Sequence, residues 1–175
     1  MQTSRYSSVA ILIHWSVALL IIFSFLLGLT VDNFPKSWTG AVINTHALAG
    51  LSVLGLTFFR LAWRLTHRPP EYPRDVSPAV KRLSHLAHMA LYVLMITVPV
   101  IGIPTLLYRG RGLDFGLFGI SSPFERTPDI FHPLTDWHEL AAFALLGLAI
   151  GHVLAALYHQ FVRKDAIMER MTLKA

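Results

Sequence analysis

The sequence predicts an all-α membrane protein built as a bundle of four transmembrane helices. Four apolar segments, at residues 9–31, 43–65, 83–107 and 137–162, each exceed the length of about 20 residues that a membrane-spanning helix needs. The chain is 54% hydrophobic and only 14% charged, too few charges for the surface of a water-soluble domain of this size. Because the segments account for more than half of the 175 residues, we expect residues 1–175 to form a single membrane-embedded domain.

Prolines and glycines mark the connections between these segments. The run Arg-Pro-Pro-Glu-Tyr-Pro at residues 68–73 cannot continue a helix. The connection at residues 108–136 contains four glycines and three prolines and is predicted to be a long loop over the end of the bundle. Thr135 or Asp136 is predicted to cap the helix that begins near Trp137.

The distribution of basic residues predicts the orientation in the membrane. Of the 15 lysines and arginines, 11 fall at the end that carries both termini and the second connection. The other end carries Lys36, Arg109, Arg111 and Arg126. Basic residues favour the cytoplasmic side, so both termini are predicted to lie in the cytoplasm. Lipid headgroups explain these charges and the net charge of +5, and nucleic-acid binding is not indicated.

All four apolar segments contain histidine, and the chain contains no cysteine. An ionisable side chain inside a membrane is unfavourable and usually marks a functional site. Without cysteine, the chain cannot form thiolate zinc sites, iron–sulfur clusters or covalent c-type haem attachments.

Four of these histidines form two pairs at matching depths. The direction of each segment places His46 and His138 near the outer face. His152 follows His138 by 14 residues, which is about 21 Å of helix, so it lies level with His14 near the cytoplasmic face. Paired histidines on facing helices of a membrane bundle favour haem, here as two stacked sites between the helices.

Other interpretations of the histidines stay open. Small residues beside them could serve only close helix packing. His85 or His88 could replace one of the inner ligands, and His88 could instead contact a haem propionate or a quinone. Zinc, as in a metal transporter, fits less well because a pair supplies two ligands where zinc takes three or four. His159 is expected to reach the headgroups, and His67 and His132 are expected to be solvated loop residues.

Short motifs in a fixed order carry a family resemblance. They are Ile13-His14-Trp15, Asn44-Thr45-His46, His85 through Tyr92, Pro99 through Gly102, Arg109-Gly110, Trp137-His138-Glu139 and Gly151-His152. With this order and spacing, the chain resembles the bacterial di-haem cytochrome b561 family over essentially its whole length. Within that family it is most similar to the short, four-span superoxide oxidase type.

The resemblance implies a di-haem electron carrier of the bacterial inner membrane. It implies two b-type haems per chain, with His14, His46, His138 and His152 as the axial ligands of the iron. It further implies that superoxide is oxidised on the periplasmic side and that ubiquinone is reduced. The alternative is a cytochrome b subunit that relays electrons between quinone and a partner dehydrogenase or hydrogenase.

Two groups of charged or polar residues are candidates for contacting the substrates and the haem propionates. On the outer side, Arg109 and Arg111 are predicted to steer superoxide, a small anion, or to contact propionates. On the inner side, Arg60, Arg64 and His88 are predicted to contact propionates or a quinone. The expected partners are membrane lipid, quinone, superoxide and, for the alternative function, a redox protein.

Overall fold

Four long helices make up most of the protein. The computed structural model describes residues 5–67, 70, 76–165 and 167–172. The helices are α1 (Ser8–Thr30), α2 (Thr39–Thr66), α3 (Pro78–Tyr108) and α4 (Pro128–Tyr158). Each is long and apolar enough to cross a membrane, which confirms the predicted fold class. Most of the predicted loop at 68–73, and the basic residues Arg68, Arg74 and Lys174, lie outside the described residues.

Local sequence explains where two of the helices begin. The hydroxyl of Ser7 accepts a hydrogen bond from the backbone N–H of Ala10, at 3.3 Å, at the start of α1. At the start of α3, the hydroxyl of Ser77 accepts from the N–H of Val80 at 3.4 Å, and Pro78 occupies the first helical position. Both serines satisfy a backbone donor that has no partner within the helix.

The predicted start of the fourth helix was wrong. α4 begins at Pro128, nine residues before Trp137, so Thr135 and Asp136 lie inside the helix and cap nothing. His132 is likewise a helical residue, although it is exposed as expected. Pro128 suits the first helical position, where the missing N–H has no partner within the helix, and Pro133 lies inside α4 in a region where prolines suggested a loop. The connection between α3 and α4 shortens to residues 109–127.

The helices pack in chain order, and side chains from all four form the buried centre. Close backbone packing joins α1 to α2, α2 to α3 and α3 to α4, whereas among the described residues α4 makes little or none with α1 and α2. The buried cluster consists of Ile13, Val17, Val53, Met95 and Leu145. Large apolar side chains cover the outside, as expected for helices in contact with lipid.

A small hairpin between α3 and α4 is attached to α2. Strands β1 (Leu113–Asp114) and β2 (Gly119–Ile120) pair antiparallel. The side-chain amide of Asn44 donates to the carbonyl of Asp114 at 2.8 Å, and its oxygen accepts from the Asp114 N–H at 2.9 Å. A Cβ at Gly112 would lie 2.1 Å from the carbonyl oxygen of Ile120, so this close approach requires glycine. We call this end of the bundle the loop end.

The opposite end, which we call the terminal end, carries the N-terminus and the segment after α4. α4 continues into one π-helical turn at His159–Arg163, and a short 3₁₀ helix follows at Met168–Met171. The indole N–H of Trp15 donates to the carbonyl of Met171 at 3.0 Å. The backbone N–H of Tyr6 donates to the carbonyl of Arg170 at 3.2 Å. The segment after α4 is therefore held against α1.

We predict that Asn44→Ala releases the hairpin without disturbing the helices. The change removes two hydrogen bonds, each contributing about 0.5–1.5 kcal/mol, so the Asp114 amide should exchange with solvent about tenfold faster or more. Hydrogen exchange with mass spectrometry on peptides that cover residues 109–127 measures this. Thr45→Ala is the control, because the hydroxyl of Thr45 donates to the carbonyl of Ala41 within its own helix. Equal exchange in both variants would contradict the attachment.

Candidate functional site

Two pairs of imidazole rings face each other between helices, one pair at each end of the bundle. His46 on α2 and His138 on α4 form the loop-end pair, with ring centres 5.9 Å apart and ring planes at 82°. His14 on α1 and His152 on α4 form the terminal-end pair, with ring centres 6.3 Å apart and planes at 77°. α4 is continuous between His138 and His152, so the two pairs are about 21 Å apart along its axis.

The spacing within each pair suits one metal ion bound between two imidazoles. With metal–nitrogen bonds of about 2 Å on both sides, the ring centres of two imidazoles lie about 6 Å apart. Both observed separations, 5.9 and 6.3 Å, are close to this value. The separation of the helices therefore leaves room for one metal ion between the facing rings at each end.

Backbone carbonyls on neighbouring helices fix the rings of the loop-end pair. The Nδ1–H of His46 donates to the carbonyl of Ser24 on α1 at 2.8 Å. The Nδ1–H of His138 donates to the carbonyl of Val98 on α3 at 3.0 Å. A neutral imidazole that carries its proton on Nδ1 keeps the lone pair of Nε2 for a metal, and histidine ligands are commonly held in this way.

The terminal-end pair has different neighbours. Nη1 of Arg60 donates to Nδ1 of His14 at 2.8 Å, so this nitrogen is an acceptor, the reverse of its role in His46 and His138. A third histidine, His88 on α3, lies with its ring centre 5.2 Å from that of His152. Its Nδ1–H donates to the carbonyl of Ser84 at 2.6 Å, which leaves Nε2 available. The geometry thus places both His14 and His88 beside His152.

Open space accompanies the histidine pairs. A Cβ built on Gly50, Gly147 or Gly151 would meet no atom within 4 Å, so these glycines are not needed for close helix packing. α4 also makes little or no close backbone contact with α1 and α2, the helices that supply the facing histidines. Both features fit a flat group such as a porphyrin lying between the paired rings.

A site with three or more ligands is not found in the described part of the chain. There, no three side chains of histidine, cysteine, aspartate or glutamate are arranged to hold one metal ion. Zinc commonly takes three or four protein ligands. The pairs therefore suit an ion whose other positions are filled by a non-protein group, which is how haem iron is held.

Comparison with known proteins identifies the family. The profile of the prokaryotic cytochrome b561 family matches residues 5–174, nearly the whole chain. The chain belongs to this family.

A protein named probable superoxide oxidase, from Yersinia pestis, is 32% identical over 173 residues, which cover 95% of each chain. Cytochrome b562 of Cereibacter sphaeroides is 29% identical over 178 residues, covering 97% of this chain and 96% of the relative. Cytochrome b561 homolog 1 of Escherichia coli (strain K12) is 26% identical over 170 residues, covering 96% and 97%.

Members of the cytochrome b561 family are transmembrane electron-transfer proteins that bind haem b. This agrees with the four spans of the chain. The family resemblance read from the sequence is confirmed, and the chain is a bacterial membrane protein. Which residues of this chain hold haem, and how many haems they hold, stays a prediction.

The two candidate arginines at the loop end, Arg109 and Arg111, occupy different positions. Nη2 of Arg109 donates to the hydroxyl of Thr135 at 3.0 Å, and its guanidinium lies 5.2 Å from the ring centre of Phe131. Arg109 therefore ties the end of α3 to α4, three residues before His138. Arg111 is exposed, and its Nη1 lies 3.6 Å from a Cβ built on Gly40 at the start of α2. Of the two, Arg111 is the one open to a small anion from solvent.

At the terminal end, the guanidinium of Arg60 lies 5.9 Å from the ring centre of Tyr92, in addition to its contact with His14. Arg64 lies one turn further along α2 and within electrostatic range of His88. Two cationic side chains therefore stand beside the histidines at this end. They can pair with carboxylates such as haem propionates.

The remaining histidines lie away from the facing pairs. His85 is exposed on α3. His67 follows α2 and stacks on Trp63, with ring centres 3.8 Å apart. His159 was expected to reach the headgroups, but it is partly buried and pairs with Asp165. His159 begins the π-helical turn that follows α4.

The sequence interpretation missed the residues that hold the loop-end rings. A Cβ at Gly28 would lie 3.1 Å from Cε1 of His46, and a Cβ at Gly102 would lie 2.9 Å from Cε1 of His138. Ser24, also missed, accepts from His46 through its carbonyl. Each glycine lies four positions after the residue whose carbonyl accepts the hydrogen bond. A serine or valine followed four residues later by glycine is common in apolar segments, so this spacing did not indicate a contact with a histidine ring.

Proposed function

We propose that this cytochrome b561 binds two b-type haems, one between His46 and His138 and one between His14 and His152. The observation that carries this proposal is the facing pair of imidazoles at each end of the bundle. Haem supplies reversible one-electron redox chemistry when bound, and the chain supplies ligation, spacing and a membrane-buried surrounding. Two sites about 21 Å apart along α4 give electrons a path across the membrane.

The four proposed histidine ligands also bear on how a substrate exchanges electrons with the haems. Two imidazoles would hold each haem, and a substrate would then exchange an electron without binding the metal itself. At the loop end, the carbonyls of Ser24 and Val98 accept from Nδ1–H of His46 and His138, which leaves Nε2 of both rings as the nitrogen that could bind a metal. At the terminal end, Arg60 and Arg64 are our candidates for pairing with propionates, and His88 for a propionate or a quinone.

We infer that the overall reaction is the oxidation of superoxide with reduction of ubiquinone. Each superoxide anion loses one electron and becomes dioxygen. Ubiquinone takes up two electrons and two protons, so two superoxide anions are consumed for each ubiquinol formed. The support for this reaction is the 32% identity, over 95% of the chain, to a protein named probable superoxide oxidase.

The distribution of charged residues supports a cytoplasmic location for the terminal end and bears on how superoxide would be attracted to the loop end. The 11 basic residues at the terminal end favour the cytoplasm for that end, which places the loop end in the periplasm. The loop end carries six acidic and four basic side chains, so its net charge does not attract an anion. Attraction of superoxide therefore rests on local arginines, and exposed Arg111 is our candidate.

The haem assignment predicts the haem content of single histidine variants. His46→Ala and His138→Ala should each bind one haem instead of two, because each variant removes one axial ligand of the same site. Pyridine haemochrome assays of detergent-purified protein measure the haem-to-protein ratio. His132→Ala is the matched control, since His132 is exposed on α4 near His138. Full haem content in both site variants would overturn the assignment.

The terminal end allows a direct test between two ligands. If His14 pairs with His152, His14→Ala loses one haem, whereas His88→Ala keeps both and changes only the potential or the quinone reaction. The ring of His88 is close enough to His152 for the opposite result to be physically reasonable. Loss of haem in His88→Ala, with normal content in His14→Ala, would assign His88 as the ligand.

Stopped-flow mixing with superoxide tests the proposed reaction. The purified protein should be reduced rapidly, as read from its visible spectrum, and reoxidised by ubiquinone. Arg111→Gln should slow reduction by about two- to fivefold at low ionic strength and weaken its dependence on salt. Lys164→Gln makes the same change in charge at the terminal end and should leave the rate unchanged. Two normal haems that do not react with superoxide would favour the electron-relay subunit instead.

A further inference from the structure

The two rings of the loop-end pair are held in the same way, although they lie on different helices. In each case a histidine on one helix donates its Nδ1–H to a backbone carbonyl of the helix packed beside it: His46 to Ser24 and His138 to Val98. In each case a glycine of that neighbouring helix lies four residues after the accepting residue. We call each combination of carbonyl and glycine a ring cradle.

The glycine follows from the geometry of the helix. In an α-helix the carbonyl of residue i points toward residue i+4, so a ring that bonds to this carbonyl lies against residue i+4. A Cβ at Gly102 would lie only 2.9 Å from Cε1 and 3.1 Å from Nδ1 of His138. At Gly28 the corresponding distances to His46 are 3.1 and 3.3 Å. Any side chain at Gly102 would displace the ring, and one at Gly28 would press on it.

The two cradles differ in one polar group. The hydroxyl of Ser24 lies 3.1 Å from Nδ1 of His46 and 3.3 Å from the backbone carbonyl oxygen of His46. Ser24 can thus accept from the ring and donate to the backbone of the same residue. Val98 offers only its carbonyl to His138. His46 therefore has the more firmly held ring.

The terminal-end pair has no such cradle. Apart from Gly151, which is the chain neighbour of His152, none of the 11 glycines has His14 or His152 among the atoms nearest to a built Cβ. The Nδ1 atom of His14 faces the guanidinium of Arg60, a movable side chain. The cradles are thus a property of the loop-end site and not a general feature of histidines in this bundle.

We propose that Gly28 and Gly102, with the carbonyls of Ser24 and Val98, are positioning residues that set the plane and the proton position of both loop-end rings. This inference rests on the proposed haem site between His46 and His138. The cradles hold the ring planes at 82° to each other. The angle between axial imidazole planes governs the anisotropy of the low-spin ferric signal in electron paramagnetic resonance. The cradles therefore determine a spectroscopic property of one haem and contribute to its reduction potential.

Gly102→Ala tests the proposal, with Gly55→Ala as the matched control. Gly55 is also a glycine inside a transmembrane helix, and a Cβ there would meet no atom within 4 Å. In Gly102→Ala we expect both haems to be retained, while the low-spin signal and midpoint potential of one haem shift. Gly55→Ala should match the unaltered protein. Gly28→Ala should produce a smaller shift in the same haem, because its Cβ contact is longer, and it provides the test if Gly102→Ala does not fold.

Ser24→Ala distinguishes the effect of the Ser24 hydroxyl on the His46 ring from the effect of the Ser24 carbonyl. It keeps the backbone acceptor of the cradle, so we expect the ring plane and signal of His46 to change less than those of His138 do in Gly102→Ala. Unchanged signals and potentials in both glycine variants, with two haems bound, would overturn the cradle inference alone. Absence of haem from the unaltered protein would overturn the proposed function and this inference together.

Discussion

An imidazole inside a membrane has no water to satisfy its N–H group, and this constraint links the fold of this protein to its site. At the loop end, the partner of each Nδ1–H is a carbonyl of the adjacent helix, with Ser24 on α1 serving His46 and Val98 on α3 serving His138. The close packing of α1 with α2 and of α3 with α4 is what brings these carbonyls within reach. The contacts that form the bundle therefore also orient the rings.

The two ends of the bundle hold their histidines by different means. The loop-end rings depend on backbone atoms of long helices, which move little. The terminal-end rings lie among side chains that can rearrange, namely Arg60 beside His14 and His88 beside His152. A site held by backbone is suited to a fixed geometry. A site among a guanidinium and a third imidazole offers charge and proton donors to a bound carboxylate or quinone.

The connection between α3 and α4 is attached close to the loop-end pair. Asn44, two residues before His46, holds β1 through both hydrogen bonds of its side-chain amide. Thr135, three residues before His138, accepts from Arg109 at the end of α3. The connection is thus attached to both α2 and α4 within three residues of the loop-end histidines.

The four spans, the family and the histidines that could lie at matching depths could all be predicted from the sequence. Hydrophobic length and the 1.5 Å rise of a helix depend only on the order of residues along the chain. Its reading of residues 108–136 as one loop was wrong, because prolines that suggest a loop also fit the first turns of α4. Three features required the packed bundle: the position of His88 beside His152, the contact of Arg60 with His14, and the contacts of Gly28 and Gly102 with the loop-end rings. Those contacts depend on the rotation and distance of neighbouring helices, which packing sets and which no single segment encodes.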